Sequence, residues 1–561
     1  MADHMGGDHD PVRGAWGPRL GTIALAVAPV AFLGVFFLLP LAGMLAEGFW
    51  VDGSLDLSGV TETLARPRVH RVVWFTVWAS LTATAVTVLA GVPVAYVLYR
   101  LDFPGRRLLR ALVVMPFVLP TVVVGVAFRT LLAPGGPLGF LRLDGTAYAI
   151  LAAMIFFNLA VVVRTVGGLW EGLDRRREDA AAALGASPWQ VLRTVTLPSL
   201  KPAIVSSATV VFLFCSTAFG VVLTLGGLRY GTVETEIYIL TTQFLDLRAA
   251  AVLSVVQLVA IVVLLALTAR ARGRREHALE RSGERSTRRR PGRRDLPALC
   301  VAGAVVLLLA APLSALVVRS LRTAGGWGLD NYANLGTTGG GTALLVPVWT
   351  ALDQSLRTAV DATLLALSLG LAVAFLVSRP ARGRGQRRGR ALLDGLFMLP
   401  LGVSAVTIGF GYLITLDEPP LDLRSSPYLV PVAQAMVALP LVVRTLVPVL
   451  RSIDPRQRQA AATLGASPLR TLLVVDLPAA WRPTLAAAGL AFAVSLGEFG
   501  ATSFLVRPDN PTLPVVIYQL ISRPGPENFG TALAASVVLG VATVLVMSGV
   551  ERLRIGSMGS F

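Results

Sequence analysis

About a dozen stretches of roughly 20 apolar residues recur along this chain, and no other feature narrows the available folds so far. They lie at roughly 20–46, 72–99, 108–133, 146–169, 203–226, 248–269, 298–319, 354–377, 392–415, 428–450, 483–506 and 529–549. A segment that crosses lipid must satisfy its own backbone hydrogen bonds, which leaves helices or closed β-barrels. Barrel strands would alternate polar and apolar residues over about ten positions. These runs are continuous, so the expectation is an all-α integral membrane protein with about twelve transmembrane helices. Composition agrees: 54% of residues are hydrophobic and 15% charged, against ~25% charged in soluble domains. The first stretch is long and lacks a clear small-residue cleavage site, so it reads as an anchor rather than a removed signal.

The formal net charge of +17 is explained by position. Most Arg residues fall in the N-terminal segment and in alternate loops, including Arg100, Arg106, Arg107, Arg110, Arg175 to Arg177 and Arg379 to Arg390. The positive-inside rule places that side in the cytoplasm, with both termini there. A nucleic-acid role is therefore not indicated. The densest basic run, Arg270 to Arg294, carries eleven arginines and must be solvated, because each would cost ~2.5–3.5 kcal/mol at mid-membrane. The expected organisation is a cytoplasmic tail (1–19), a first six-helix half (20–269), an Arg-rich cytoplasmic linker (270–297), a second half (298–550) and a second tail (551–561).

Several chemistries are excluded. Lysine occurs once, at Lys201 between Leu200 and Pro202, so there is no Gly-Lys-Ser/Thr phosphate loop. Cys215 and Cys300 lie in apolar runs, and His4, His9, His70 and His277 are scattered. Neither a disulfide framework nor a metal cluster is expected. No set of titratable residues suits catalysis, and no cofactor is expected on this chain.

The two halves repeat. "RTVGGLWEGLD" (164–174) aligns with "RTLVPVLRSID" (444–454), and "LGASPWQVLRTVTLP" (184–198) with "LGASPLRTLLVVDLP" (464–478). Phe219-Gly220 pairs with Phe499-Gly500 and Ile237-Tyr238 with Ile517-Tyr518, all 280 residues apart. Pro116 and Gly125 pair with Pro400 and Gly409 at 284. Six spans per half is an even number, so the repeats are parallel, related by an axis along the membrane normal, with a central pathway between them.

Between the fourth and fifth spans of each half lies a loop of about thirty residues, 175–202 and 455–483. Ala180 to Ala183 favour helix and offer a flat, small face. Gly185 and Gly465 suit a left-handed helix end. Ser187-Pro188 and Ser467-Pro468 start a second helix as cap and first turn. Gln190 completes a capping box that Arg470 breaks in the second copy. Leu197-Pro198 and Leu477-Pro478 are expected to end that helix. The product is a helix–turn–helix elbow at the cytoplasmic surface.

This pattern, an acid, two alanines, three residues, Gly, then about a dozen residues to Leu-Pro, resembles the signature loop of permease subunits of binding-protein-dependent ABC importers. The resemblance covers both halves. It implies a type I importer permease whose elbows dock on a separate ATPase dimer, which holds ATP and Mg. It also implies an extracytoplasmic substrate-binding protein or lipoprotein as partner, and the bacterial cell membrane as location. The implied coupling residues are Asp179, Ala180, Ala181, Gly185, Leu197 and Pro198, then Gln459, Ala460, Ala461, Gly465, Leu477 and Pro478. The acid is retained at Asp179 and replaced at Gln459. The segments "AFGVVLTLGG" (218–227) and "GEFGATSFLVRPDNPTLPVVIY" (497–518) are most similar to ferric-iron and thiamine permeases; sulfate, molybdate or polyamine permeases are the alternative.

Polar residues inside the spans are the pathway candidates, because they are costly in lipid and usually face a cavity or partner. They are Asn158, Ser216, Thr217, Ser495 and Glu498, the last expected near the middle of the eleventh span. Glu498 has Ala218 as its repeat partner and reads equally well as a locally paired structural acid. The segment Asp102 to Arg107 echoes a loop of major-facilitator carriers, but 378–390 has no matching Asp, and an ion-coupled carrier is the weaker reading.

Overall fold

The computed structural model describes residues 17–227, 229–273, 289–323, 325–340, 343–379, 383–417 and 421–555. Most of the N-terminal tail, the centre of the Arg-rich linker and the end of the C-terminal tail lie outside the described residues.

Among the described residues, ten helices are long and apolar enough to cross a membrane, or twelve if each of two bent pairs counts as one span. In the first half they are α1 (Leu25–Phe49), α2 (Pro67–Arg100), α3 (the bent pair Arg106–Phe117 and Thr121–Leu132), α4 (Ala147–Glu171), α5 (Pro188–Ser216) and α6 (Leu247–Thr268). The second half repeats them as α7 (Arg293–Ser320), α8 (Val348–Ser378), α9 (the bent pair Arg384–Gly402 and Ala405–Thr415), α10 (Leu429–Ser452), α11 (Leu472–Leu496) and α12 (Pro526–Val550).

The third and ninth apolar stretches are not straight spans. The chain bends by 108° between the limbs of α3 and by 95° between those of α9. The first limb of α3 mixes Arg106, Arg107 and Arg110 with Leu108, Leu109 and Leu112, an amphipathic pattern suited to a membrane surface. Its second limb, of 12 residues, rises ~18 Å, less than the ~30 Å hydrocarbon layer. The fifth and eleventh stretches also break. α5 ends at Ser216, and the chain resumes as a short helix, Gly220–Gly226. α11 ends at Leu496, before Thr502–Leu505. Glu498 therefore lies in a break and not within a helix.

Leu197-Pro198 and Leu477-Pro478 open helices instead of ending them. Each follows a π turn, Leu192–Thr196 or Leu472–Asp476, and the coil runs on into the span. Pro40 follows the π turn Gly34–Leu38 at the same distance. A proline ring strikes the carbonyl four residues back in an α-helix. In all three cases that carbonyl belongs to the wider turn, which absorbs the clash.

The repeat extends to single contacts. The Val233 amide donates to Thr76 Oγ1 at 3.0 Å, and the Leu513 amide donates to Ser355 Oγ at 2.7 Å. Gly91 lies against Val162 and Gly370 against Val442, so closely that an added Cβ would come within 2.7 and 2.5 Å of a valine methyl. These two glycines let α2 approach α4 and α8 approach α10.

Packing interleaves the halves. Phe32, Leu33 and Phe37 of the α1 region enter the core of the second half. Ala302, Val305, Leu309 and Ala315 of α7 enter the core of the first. A third core, containing Phe219, Ile237, Phe410, Phe499 and Ile517, straddles the seam between halves. Each half thus lends its first span to the other, which buries apolar surface across the seam.

Candidate functional site

The two elbows project at the same end of the bundle, beside the last turns of α2 and α8. In the first, Asp174 caps the helix Arg176–Ala183 by accepting from the Arg176 amide at 2.9 Å. Asp454 does the same for Pro455–Thr463, also at 2.9 Å. Gly185 (φ +86°) and Gly465 (φ +77°) then turn the chain in the left-handed region. The capping box forms: the Ser187 amide donates to Gln190 Oε1 at 2.7 Å, and Ser187 Oγ accepts from the Gln190 amide at 3.4 Å. In the second elbow Ser467 Oγ accepts from the Arg470 amide at 3.3 Å, without the reciprocal bond in the box.

The motif residues face outward. Asp179, Ala180, Gly185, Pro198, Gln459, Ala460, Gly465, Leu477 and Pro478 are exposed, and Ala181, Leu197 and Ala461 half-buried. The tip of each elbow carries a leucine that sequence reasoning missed. Leu184 is 90% exposed and Leu464 87%. Each precedes its turning glycine and projects beside exposed alanines, giving a small apolar knob. Leucines this exposed in a polar loop mark a contact surface.

The acid that anchors the first elbow is Glu178, not Asp179. Glu178 pairs with Arg100 at the end of α2 and accepts from Thr196 Oγ1 at 2.9 Å. In the second elbow Asp476 is fully buried and binds Arg379 at the end of α8 and Arg458, each at 2.7 Å. Asp179 stays exposed, 3.8 Å from Arg175. Only pairing between distant segments distinguishes these two adjacent acids, and spacing along the chain does not carry that signal.

The breaks after α5 and α11 meet at the seam. Phe219 and Phe499, equivalent residues of the two repeats, stack with centroids 5.3 Å apart and planes at 20°. Tyr238 packs on Phe219 at 5.3 Å and Tyr518 on Phe499 at 5.5 Å. Four rings thus surround the pseudo-twofold axis. The pairing of Phe219 with Phe499 and Tyr238 with Tyr518 in the repeat was the available signal.

The pathway candidates divide. Ser216 and Thr217 both return their hydroxyls to the Leu213 carbonyl at 2.9 Å, at the edge of the first break. Ser495 is buried beside the second break. Glu498 accepts from the Ala501 and Thr502 amides at 2.8 and 3.0 Å and caps the next short helix. Asn158 is not at the seam; it donates to the Met154 carbonyl and to Cys215 Sγ, between α4 and α5.

The family model described as the binding-protein-dependent transport system inner membrane component matches this chain twice, at residues 87–273 and 366–554. The chain belongs to that family. It is a multi-pass membrane permease of the ABC importer class. The thiamine transport system permease protein ThiP of Escherichia coli (strain K12) is 27% identical over 544 residues, 95% of each chain. The protein of the same name from Brucella abortus (strain 2308) is 29% identical over 560 residues, 95% of this chain and 97% of that one. A probable ABC transporter permease protein, y4fN, of Sinorhizobium fredii (strain NBRC 101917 / NGR234) is 26% identical over 96% of both chains. Among solved structures, one chain of a bacterial alginate ABC transporter, in complex with an alginate-pentasaccharide-bound periplasmic protein, covers 48% of this chain. Its TM-score is 0.42 and its identity 15%.

Proposed function

We propose that this permease imports thiamine, driven by a separate ATPase dimer that docks on its two elbows from the cytoplasm. The paired elbows carry the reading: two equivalent, exposed knobs at one end of the bundle, each tied by buried or half-buried charges to a long helix. A force applied at an elbow reaches α2 or α8 through those ion pairs, and the halves rock about the ring-lined axis. Cargo is delivered by an extracytoplasmic binding protein. ATP and Mg belong to the ATPase. Thiamine as cargo rests on the names of relatives that align along nearly the whole chain. Both termini, on this reading, lie in the cytoplasm with the elbows, where the basic loops gather.

Co-purification with the ATPase tests the docking. Leu184→Asp with Leu464→Asp is expected to abolish association and thiamine uptake while leaving the chain in the membrane. Retention of the ATPase by that double variant would overturn the docking assignment.

A further inference from the structure

Glu234 opens the helix Val233–Thr242 and is fully buried, with 0% exposure. Its carboxylate is held by two neutral donors: Gln257 Nε2 and Ser404 Oγ, each at 2.5 Å. Among the described residues it has no ion-pair partner. A buried carboxylate without a cation is costly, and such groups inside membrane proteins are functional by default.

Two features separate it from Glu498. The donors to Glu498 belong to its own next turn and travel with it. Ser404, in contrast, belongs to the other half, where it caps the second limb of α9. Any parting of the halves breaks this bond and frees one carboxylate oxygen. The repeat also offers no second copy: the equivalent positions are Pro514 and Pro120. The acid therefore marks a single site on a pseudo-symmetric axis.

Rings complete the surroundings. Tyr238 is one helical turn beyond Glu234, on the same face, and packs on Phe219 and Phe504 at 5.3 Å. Phe219 stacks on Phe499. Gly500, next to Phe499, lies so close to Ala405 that an added Cβ would come within 2.9 Å of it, and Ala405 adjoins Ser404. The carboxyl is thus linked to the ring cluster on two sides, through one turn of the helix Val233–Thr242 to Tyr238 and through Ser404-Ala405 to Gly500-Phe499. Burial pushes the Glu234 carboxyl up to about 8, so the closed seam favours the neutral acid. Once the halves part and water reaches it, the group ionises. A negative charge beside aromatic faces is the chemistry that holds a flat organic cation.

We propose that Glu234, with the rings of Tyr238 and Phe219, is the permease's own recognition point for a ring-bearing organic cation, presented to the pathway when the halves part. Closure returns Ser404 to the carboxylate and displaces the cargo. This inference rests on the importer reading above, and it places a selectivity step inside the membrane subunit.

Thiamine uptake in cells carrying the full chain with its ATPase and binding protein is the test. Glu234→Gln is nearly isosteric. It is expected to lower uptake at least about tenfold, with membrane abundance and binding-protein-stimulated ATP hydrolysis retained; Glu234→Asp should keep most of the uptake. Tyr238→Leu, which leaves the carboxylate and its donors intact, should slow uptake severalfold and guards against a folding defect at Glu234. Wild-type rates in Glu234→Gln or in Tyr238→Leu overturn the proposal. Parallel loss of ATP hydrolysis and uptake in Glu234→Gln also overturns it, since the carboxylate would then only hold the seam. A wild-type transporter that takes up no thiamine overturns the substrate reading and this proposal together, so the two failures are distinct.

Discussion

Glu178 and Arg458 occupy the same position of the two elbows and carry opposite charges, yet each belongs to an ion-pair set that includes the arginine ending the second helix of its half. The acid has moved. In the first elbow it sits on the leading helix, facing Thr196; in the second it sits at Asp476, the position of Thr196, facing Arg458. Arg100 and Arg379 are the constant members.

That exchange makes a rescue experiment. Glu178→Arg alone places two arginines together and leaves Arg100 without its acid. It is expected to cost ~3–5 kcal/mol, as for a broken buried pair, and to uncouple ATP hydrolysis from uptake. Glu178→Arg with Thr196→Asp rebuilds the arrangement of the second half and should restore most of both. Thermal unfolding and uptake of the two variants decide it; a double variant no better than the single would show that the sets are not interchangeable.

The turning glycines make a narrower claim. An added Cβ at Gly185 or Gly465 meets nothing within 4 Å, so the constraint is backbone conformation alone. Asn tolerates the left-handed region and a β-branched residue does not. Gly185→Asn should co-purify with the ATPase almost as the wild type does. Gly185→Val should lose about 1–2 kcal/mol locally and much of its ATPase association. Equal retention by both variants would remove the turn from the docking surface.

Gly91 and Gly370 set the spacing of their helix pairs. Gly91→Ala and Gly370→Ala each push a methyl into Val162 or Val442, which should cost about 1–3 kcal/mol. Val162→Ala in the Gly91→Ala background makes room and should recover most of the loss. Gly168→Ala, where an added Cβ meets nothing within 4 Å, serves as the control. Denaturation midpoints in detergent provide the comparison.

Much of this architecture was legible because lipid leaves few folds open and because the chain repeats itself. Span number, elbow caps and the Gly185 and Gly465 turns follow from apolar run length and local capping chemistry. The bends in α3 and α9 were missed, since hydropathy averages an amphipathic surface limb into the span that follows it. The breaks after Ser216 and Leu496 were missed for the same reason: Ala218 and Phe219 are as apolar as the helix before them. Glu234 was overlooked beside Glu236, because only the fold shows that Glu236 meets Arg68 while Glu234 meets Ser404 of the other half.

At the end of the bundle away from the elbows, two ion pairs clasp the connection between α1 and α2: Arg248 with Asp56 at 2.8 Å and Arg66 with Asp246 at 2.7 Å. The Ser58 backbone amide, then the Arg248 side chain, hold Asp56 at about 2, below the usual 3.8. For Asp246 burial pulls upward, but the Ala249 amide and Arg66 outweigh it and the value is lowered. Both groups have depressed folded values, so their contribution is full above the unfolded value and is lost as pH falls towards 2. A spin label at Leu57→Cys, in a Cys300→Ser background, should keep the same mobility from pH 7 to pH 5 and loosen only below about 4. Loosening already at pH 6 would assign the clasp to other groups.

The stack of Phe219 on Phe499 joins the halves at their axis, and its strength is measurable apart from transport. Offset-stacked rings contribute about 0.5–1.5 kcal/mol beyond buried area. Phe219→Leu and Phe499→Leu should therefore be non-additive in thermal unfolding, with a coupling energy of that size. Phe219 and Phe397, which lies in the core of the second half, should show additive losses. If the rings hold the axis closed, either single variant should also raise ATP hydrolysis in the absence of binding protein, because the resting arrangement loses the same contact whichever ring is removed. Additive losses at the stacked pair would mean that the halves are held together elsewhere in the seam, with the two rings only filling space.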